Sequence, residues 1–168
     1  EAAPPVLEWL GVEARWASVA YVAASGEAAI TSPLTVGPLD YHAGNVVTGA
    51  STTIVDLAAV GWDWPARRVA QYTFATGASP GGTFRSALAR PVVEAAASML
   101  ALVHGGSKAR WSEAIAAHAI VLVATAAWHL RAVATGRADP ERMASWGDVD
   151  RRRASLKAVA ESLAPLRP

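Results

Sequence analysis

The strongest constraint on the fold is a long apolar segment in the second half of the chain. Residues 114–130 contain no charged side chain, and apolar residues occupy every side of a helix drawn through them. A helix that is apolar all round is normally surrounded by other helices. At 17 residues, the charge-free stretch reaches only the lower end of the length needed to span a membrane, and it contains two histidines. We therefore predict a central buried helix and no membrane span.

Most of the remaining chain also has the periodicity of amphipathic helices. Glycine and proline residues separate these segments at positions where helices usually begin and end. The predicted helices cover residues 5–24, 65–76 and 83–104, and two more begin near Asp139 and Asp148. We predict a mainly α, single-domain helical bundle of roughly five or six helices. Its central apolar helix is expected over about residues 108–135.

The sequence does not decide the secondary structure of residues 27–60. Pro33 and Pro38 exclude a regular helix from the first part of this stretch. Apolar spacing between residues 39 and 61 favours a helix, whereas residues 51–55 have the β-branched composition of a strand. We expect a helix over 39–61 and keep short strands within 27–60 as the alternative.

Charge is distributed unevenly along the chain, although the formal net charge is only +1. Residues 1–63 contain seven acids and one base, whereas residues 64–168 contain fourteen bases and seven acids. One domain over residues 1–168 would thus combine an acidic N-terminal subregion with a basic helical subregion. The two halves can neutralise each other within one fold. Such asymmetry is also typical of chains that self-associate or bind an anionic partner.

Composition narrows the class of protein. The chain has 39 alanines, 13 arginines and 2 lysines, which indicates a bacterial or phage gene of high GC content. It has no cysteine, and this excludes disulfides, thiolate metal sites and cysteine nucleophiles. The sequence does not decide the cellular compartment of the protein. A cytoplasmic location is the first expectation, and a processed exported protein is the alternative, because the sequence begins at Glu1 rather than at a methionine.

Two histidines on the predicted central helix are candidates for a ligand site. His118 and His129 share one helix face and lie about 16 Å apart at a rise of about 1.5 Å per residue. One metal ion cannot bind both, because zinc–nitrogen bonds are about 2 Å long. We therefore predict no metal site and no cofactor, and interpret both as core histidines. Haem or a metal bound at His118 or His129 separately is the alternative.

Two glycine-rich loops that lead into helix starts are candidates for an anion site. Free N–H groups and the positive end of the helix dipole attract anions at such positions. Arg85 follows the first loop, and Lys108 and Arg110 follow the second. These bases could hold a small phosphate or carboxylate ligand, or simply be solvated. A nucleoside triphosphatase is excluded, because the first loop lacks the lysine of a phosphate-binding loop.

Tryptophan and arginine clusters are candidates for a protein interface. Trp62 and Trp64 flank an acid just before a predicted helix, and tryptophan is enriched at binding hot spots. Arg151, Arg152 and Arg153 lie near the start of the last helix, where positive charge opposes the helix dipole. The acidic half of the chain, nucleic acid or a negative membrane surface would favour them there. Nucleic acid is not expected, since the isoelectric point of about 8.5 is modest and no recognition motif accompanies it.

No sequence pattern points to a particular reaction. Asp40 and His42 place an acid near a base, but the chain has no Gly-x-Ser-x-Gly motif for a serine nucleophile. We therefore expect a non-catalytic helical interaction or assembly module that binds a protein partner or a second copy of itself. The alternative is a protein, or an enzyme, that binds a small ligand or cofactor through His118, His129 and the basic loops.

Overall fold

The computed structural model describes residues 3–11, 33–42, 45–55, 57, 59–74, 86–138 and 148–163. Over these residues the protein is mostly helical, with a few short antiparallel strands. The helices are α1 (Ala3–Trp9), α2 (Pro65–Phe74), α3 (Ser86–His104), α4 (Lys108–Ala134) and α5 (Val149–Leu163). The strands are β1 (Thr35–Pro38), β2 (Val46–Thr48), β3 (Thr52–Ile54) and β4 (Val60–Asp63).

The helix α4 lies at the centre of the described helices, as its apolar composition predicts. It contacts α1, α2, α3 and α5. Its buried side chains include Trp111, Ile115, Ile120, Val123 and Leu130. Ser107 caps the N terminus, because its hydroxyl accepts a hydrogen bond from the N–H of Arg110 at 3.2 Å. The observed helix ends within one residue of the predicted range 108–135.

Among the described helices, α4 alone is long and apolar enough to cross a membrane by length and composition. In its most apolar window, 56% of the residues are buried inside the protein. The core helix of a globular domain passes the same test of length and composition. The contacts of α4 with four other helices are those of such a core helix.

The starts and stops of the other helices follow local signals in the sequence. Asp148 caps α5, because its carboxylate accepts hydrogen bonds from the N–H groups of Asp150 at 2.8 Å and Arg151 at 3.0 Å. The helix α3 ends before Gly105 and Gly106, whose φ angles of 79° and 84° suit glycine. The helix predicted over 5–24 is wrong as one continuous helix, because α1 ends at Trp9 and Gly11 follows with a φ angle of 86°. Residues 12–24 of that prediction, and the helix predicted after Asp139, lie outside the described residues.

The expectation of a helix over residues 39–61 is wrong. The strands β2 and β3 pair antiparallel within that range, with Val46 opposite Ile54. The strand β4 begins at Val60 and pairs antiparallel with β1. Every residue of β3 is exposed, so no helical face is buried there, and its β-branched side chains favour extended backbone. Short strands within 27–60, the alternative that the sequence left open, are present.

Candidate functional site

The two-stranded ribbon formed by β1 and β4 presents an apolar face to solvent. Val36 lies directly opposite Trp62. Val60 lies on the same face, because side chains alternate along a strand. The exposed fractions are 59% for Val36, 52% for Val60 and 69% for Trp62. We call these three residues the ribbon face. Large apolar side chains that are exposed together are typical of an interaction surface.

The opposite face of the ribbon is fixed to α2 by the buried guanidinium of Arg68. Its Nη1 donates a hydrogen bond to the hydroxyl of Thr35 at 2.6 Å, and its Nη2 donates to the Thr35 carbonyl at 2.8 Å. Its Nε donates to the Pro38 carbonyl and its Nη2 also to the Gly61 carbonyl, both at 3.0 Å. The planar arrangement of arginine donors allows one side chain to bind both strands. The ribbon is thereby held in one position on α2.

Gly37 leaves room for this guanidinium. A Cβ atom at residue 37 would lie 3.0 Å from Cζ of Arg68, which is closer than side chains normally approach. We expect Gly37→Ala to lower the free energy of unfolding by about 1–3 kcal/mol, because added volume at a tight contact displaces its neighbours. Urea denaturation followed by circular dichroism measures this change.

Gly49→Ala is the matched control for this prediction. A Cβ atom at residue 49 would meet nothing within 4 Å. We expect the free energy of unfolding of this variant to stay within about 0.5 kcal/mol of the wild-type value. Equal values for the two variants would contradict the close approach of Gly37 to Arg68.

Trp64, predicted together with Trp62 as an interface residue, faces the interior of the protein. Its ring centroid lies 5.6 Å from that of His118 on α4. The buried carboxylate of Asp63 accepts a hydrogen bond from the N–H of Trp64 at 2.8 Å and pairs with Arg67. The two tryptophans therefore have different places. Trp62 lies on the ribbon face, whereas Trp64 joins the start of α2 to the central helix.

The two candidate histidines of α4 have different environments. His118 is buried and packs on Trp64, whereas His129 is exposed, with its ring centroid 4.8 Å from that of Trp128. The interpretation of both as core histidines is therefore confirmed for His118 and wrong for His129, and the structure does not bring the two together. Among the described residues, no group of three or more His, Cys, Asp or Glu side chains could hold a metal ion.

Only part of the predicted anion site lies within the residues that the structure describes. Lys108 and Arg110 are exposed at the start of α4. The Lys108 ammonium lies 3.7 Å from the carboxylate of Glu94, which also accepts a hydrogen bond from Arg90 at 3.0 Å. The hydrogen bond from Arg90 and the charge of Lys108 lower the pKa of Glu94 below its ordinary value. Arg85 lies outside the described residues, so its position relative to these bases is not assigned.

The three consecutive arginines of α5 have separate roles. Arg152 is buried, and this burial lowers the pKa of its guanidinium. Arg153 places its guanidinium 4.7 Å from the centroid of the Trp9 ring and donates a hydrogen bond to the Trp9 carbonyl. It therefore joins α5 to the end of α1, partly through a cation–π contact. Arg151 is exposed and is the member of the three that is most accessible to a partner.

A polar and aromatic cluster connects the end of β1 to α2. Asp40 places one carboxylate oxygen 3.6 Å from Nε2 of His42, and the other accepts a hydrogen bond from Gln71 at 3.0 Å. The ring centroids of Tyr41 and Tyr72 lie 5.3 Å apart. Burial, and secondly the charge of Tyr72, raises the pKa of Tyr41 above its ordinary value. These contacts attach the ribbon to the helical part of the protein at a second point beside Arg68.

Sequence reasoning identified Trp62 but missed Arg68 and the valines of the ribbon face. One signal was present in the sequence. Gly37 and Gly61 lie opposite each other in the register, on the side of the ribbon that faces away from the ribbon face and approaches Arg68. Each glycine is next to a large apolar residue, which is the alternation of a strand with one tightly covered face.

Comparisons with known proteins returned no relative for this chain. No protein-family model matches the sequence. No curated protein and no solved structure has significant similarity to it. The functional argument therefore depends on the residues and geometry described above.

Proposed function

We propose that this protein is a non-catalytic interaction or assembly module, built as a helical bundle around α4. The ribbon face carries the proposal. Its valines and Trp62 are exposed on a ribbon that Arg68 holds from the other side. A surface that is held in its binding conformation loses little conformational entropy on association.

The distribution of exposed apolar residues supports a protein as the partner. Nine of the fourteen exposed large hydrophobic residues lie within residues 33–62, which make up a small part of the described chain. They are Leu34, Val36, Leu39, Val47, Ile54, Val55, Leu57, Val60 and Trp62. Stable protein interfaces use about 20–30 residues a side, with aromatic anchors at their centre. Trp62 is the natural anchor here, because tryptophan is the residue type most enriched at hot spots.

The ribbon also offers strand edges to a partner. Among the described strands, β1 and β4 pair only with each other. A two-stranded ribbon has an outer edge on each strand, and an extended segment of another chain can add to such an edge through backbone hydrogen bonds. A second copy of the chain is the first partner to test, since it needs no other component.

A role as a small-ligand or cofactor-binding protein has weaker support. His118 packs on Trp64 inside the protein, whereas His129 lies in an exposed part of α4. Lys108 and Arg110 would offer an anionic ligand two exposed bases at one helix start. Exposed bases of this kind bind phosphate only weakly unless other groups enclose the ligand.

Replacing Trp62 by serine tests the proposal. We expect Trp62→Ser to raise the dissociation constant of self-association by about 30-fold, which corresponds to the loss of a hot-spot residue. Sedimentation velocity over a dilution series of each protein measures the constant, and circular dichroism checks that the fold is kept.

Trp128→Ser is the matched control, because Trp128 is also a partly exposed tryptophan but lies on α4. Its dissociation constant should stay close to that of the wild-type protein. A wild-type protein that is monomeric at every concentration would remove self-association from the proposal. Equal weakening by both substitutions would show that the ribbon face is not the interface.

A further inference from the structure

The hydrogen-bond pattern of the ribbon shows which backbone groups point to its outer edges. The N–H of Leu39 donates to the carbonyl of Ala59 at 3.0 Å, and these two residues continue the register of β1 and β4. In an antiparallel pair, residues that exchange hydrogen bonds alternate with residues whose backbone groups point outward. The outward-pointing residues are Val36 and Pro38 on β1 and Val60 and Trp62 on β4.

The outer edge of β1 is largely closed. Pro38 has no N–H group, and its carbonyl accepts the hydrogen bond from Nε of Arg68 at 3.0 Å. Val36 alone keeps both an outward N–H and an outward carbonyl on this strand. Proline on an edge strand is one of the features that prevent the addition of a further strand.

The outer edge of β4 is open. Val60 and Trp62 offer two N–H and two carbonyl groups there, and no described strand other than β1 pairs with β4. Residues 57–62 contain no charged side chain. Charged side chains commonly protect an exposed edge, and β4 lacks this protection. The edge of β4 is therefore the side of the ribbon to which another strand can add.

We propose that β4 pairs antiparallel with β4 of a second copy, about a two-fold axis that passes between the two Gly61 residues. The inference rests on the proposed function, because it names the edge and the register by which the ribbon self-associates. In this register Val60 lies opposite Trp62 of the second copy, and Trp62 lies opposite Val60. Each pair exchanges two hydrogen bonds, so every outward group of both β4 strands gains a partner.

A shifted register satisfies fewer of these groups. A pairing centred on Trp62 would place Val60 opposite Trp64. The N–H of Trp64 already donates to a carboxylate at 2.8 Å, and its carbonyl accepts a backbone hydrogen bond at the start of α2. That pairing would also place two indole rings directly opposite each other. The register centred on Gly61 instead places each indole beside the smaller side chain of a valine.

A second copy fits this edge because it extends the ribbon face. The pairing joins two ribbons into a sheet of four strands, with the ribbon faces of both copies on the same side. A sheet needs three or more strands and an apolar face to be stable independently, whereas an isolated pair of strands is marginal. The absence of charge on residues 57–62 also removes the like-charge repulsion that identical strands would otherwise meet.

Replacing Val60 by proline tests the role of the β4 edge. Val60→Pro removes an outward N–H but none of the hydrogen bonds within the ribbon, as Pro38 does directly opposite. We expect it to raise the dissociation constant of self-association about 30-fold, because two of the four hydrogen bonds between the copies are lost. Sedimentation velocity over a dilution series measures the constant, and circular dichroism checks that the fold is kept.

Val36→Pro is the matched control. It makes the same substitution on the same ribbon face, but the N–H that it removes points to the outer edge of β1. Its dissociation constant should stay within about 3-fold of the wild-type value. Equal dissociation constants for the two proline variants would overturn the pairing through β4, yet leave self-association through the ribbon face in place. A wild-type protein that is monomeric at every concentration would overturn the proposed function as well.

Amide hydrogen exchange of the wild-type protein, followed by NMR, tests the pairing without a substitution. The N–H groups of Val60 and Trp62 should exchange at least about 10-fold more slowly at concentrations where the protein self-associates than after dilution. The N–H of Val36 should exchange at the same rate under both conditions. Equal exchange rates of Val60 at the two concentrations would overturn the inference, even if Trp62→Ser weakens self-association.

Discussion

Replacing Arg68 by methionine is expected to lower the free energy of unfolding by about 3 kcal/mol or more. The carbonyl groups of Thr35, Pro38 and Gly61 would all lose a charged donor, as would the hydroxyl of Thr35. Hydrogen bonds to charged groups contribute about 1.5–3 kcal/mol each, although the contributions within one network are not additive. Since small domains are stable by only about 5–15 kcal/mol, chemical denaturation should detect this loss easily.

Two further substitutions make the Arg68 prediction specific. Arg68→Lys keeps the charge but not the planar set of donors, so it should recover only a minor part of the lost stability. Arg151→Met makes the same arginine-to-methionine change as Arg68→Met, but at an exposed position. It should alter the free energy of unfolding by less than about 0.5 kcal/mol. Equal stability of the Arg68→Met and Arg151→Met variants would contradict the role of Arg68 in holding the ribbon.

Replacing Leu130 by alanine is expected to lower the free energy of unfolding by about 2–5 kcal/mol. Leu130 is 1% exposed on α4, so its truncation leaves a cavity at the centre of the described helices. Urea denaturation gives the free energy of unfolding. The slope of that free energy against urea concentration checks that the unfolding remains two-state.

Val121→Ala on the same helix is the matched control for Leu130. Val121 is 47% exposed, and alanine has the higher helix propensity, so we expect a change within about 0.5 kcal/mol. A similar loss of stability in both variants would contradict the exposure of Val121, because it would show that its face of α4 is buried as well as the face that carries Leu130.

The central helix could be predicted because its signals are local and agree with each other. Ser107 precedes its first turn, and in the sequence apolar residues follow on every side of the helix, although Val121 and Trp128 are exposed in the structure. Asp148 at the start of α5 and Gly105 at the end of α3 acted in the same local way. Capping residues and apolar periodicity report on neighbours within a few residues, so a single sequence is enough to read them.

The strands could not be predicted in the same way. The helix expected over 39–61 rested on apolar spacing, and most of the large apolar residues in that range turned out to be exposed. The pairing of β1 with β4 joins Thr35 to Asp63 across the whole of β2 and β3. Local periodicity contains no information about pairing between distant segments. The secondary-structure propensities and apolar spacing of residues 39–61 therefore predicted the wrong structure.

The candidate site was predicted only in part. Exposure of Trp62 agrees with a role in binding. The same interpretation was applied to Trp64, which instead packs on His118. Arg67 and Arg68 are neighbours in the sequence, yet only Arg68 reaches both strands of the ribbon. Which of two adjacent side chains faces the core depends on where the partner strand lies, and this is known only from the fold.

Native mass spectrometry of the wild-type protein and the Trp62→Ser variant tests the central claim most directly. An absorbance scan of the same samples detects any bound chromophore. We predict that the wild-type protein gives an oligomer, with a mass of two or more times the 17.4 kDa of one chain and no additional mass. The variant should shift towards the monomer. A wild-type monomer that carries a small molecule at fixed stoichiometry would contradict the account and favour a ligand-binding protein.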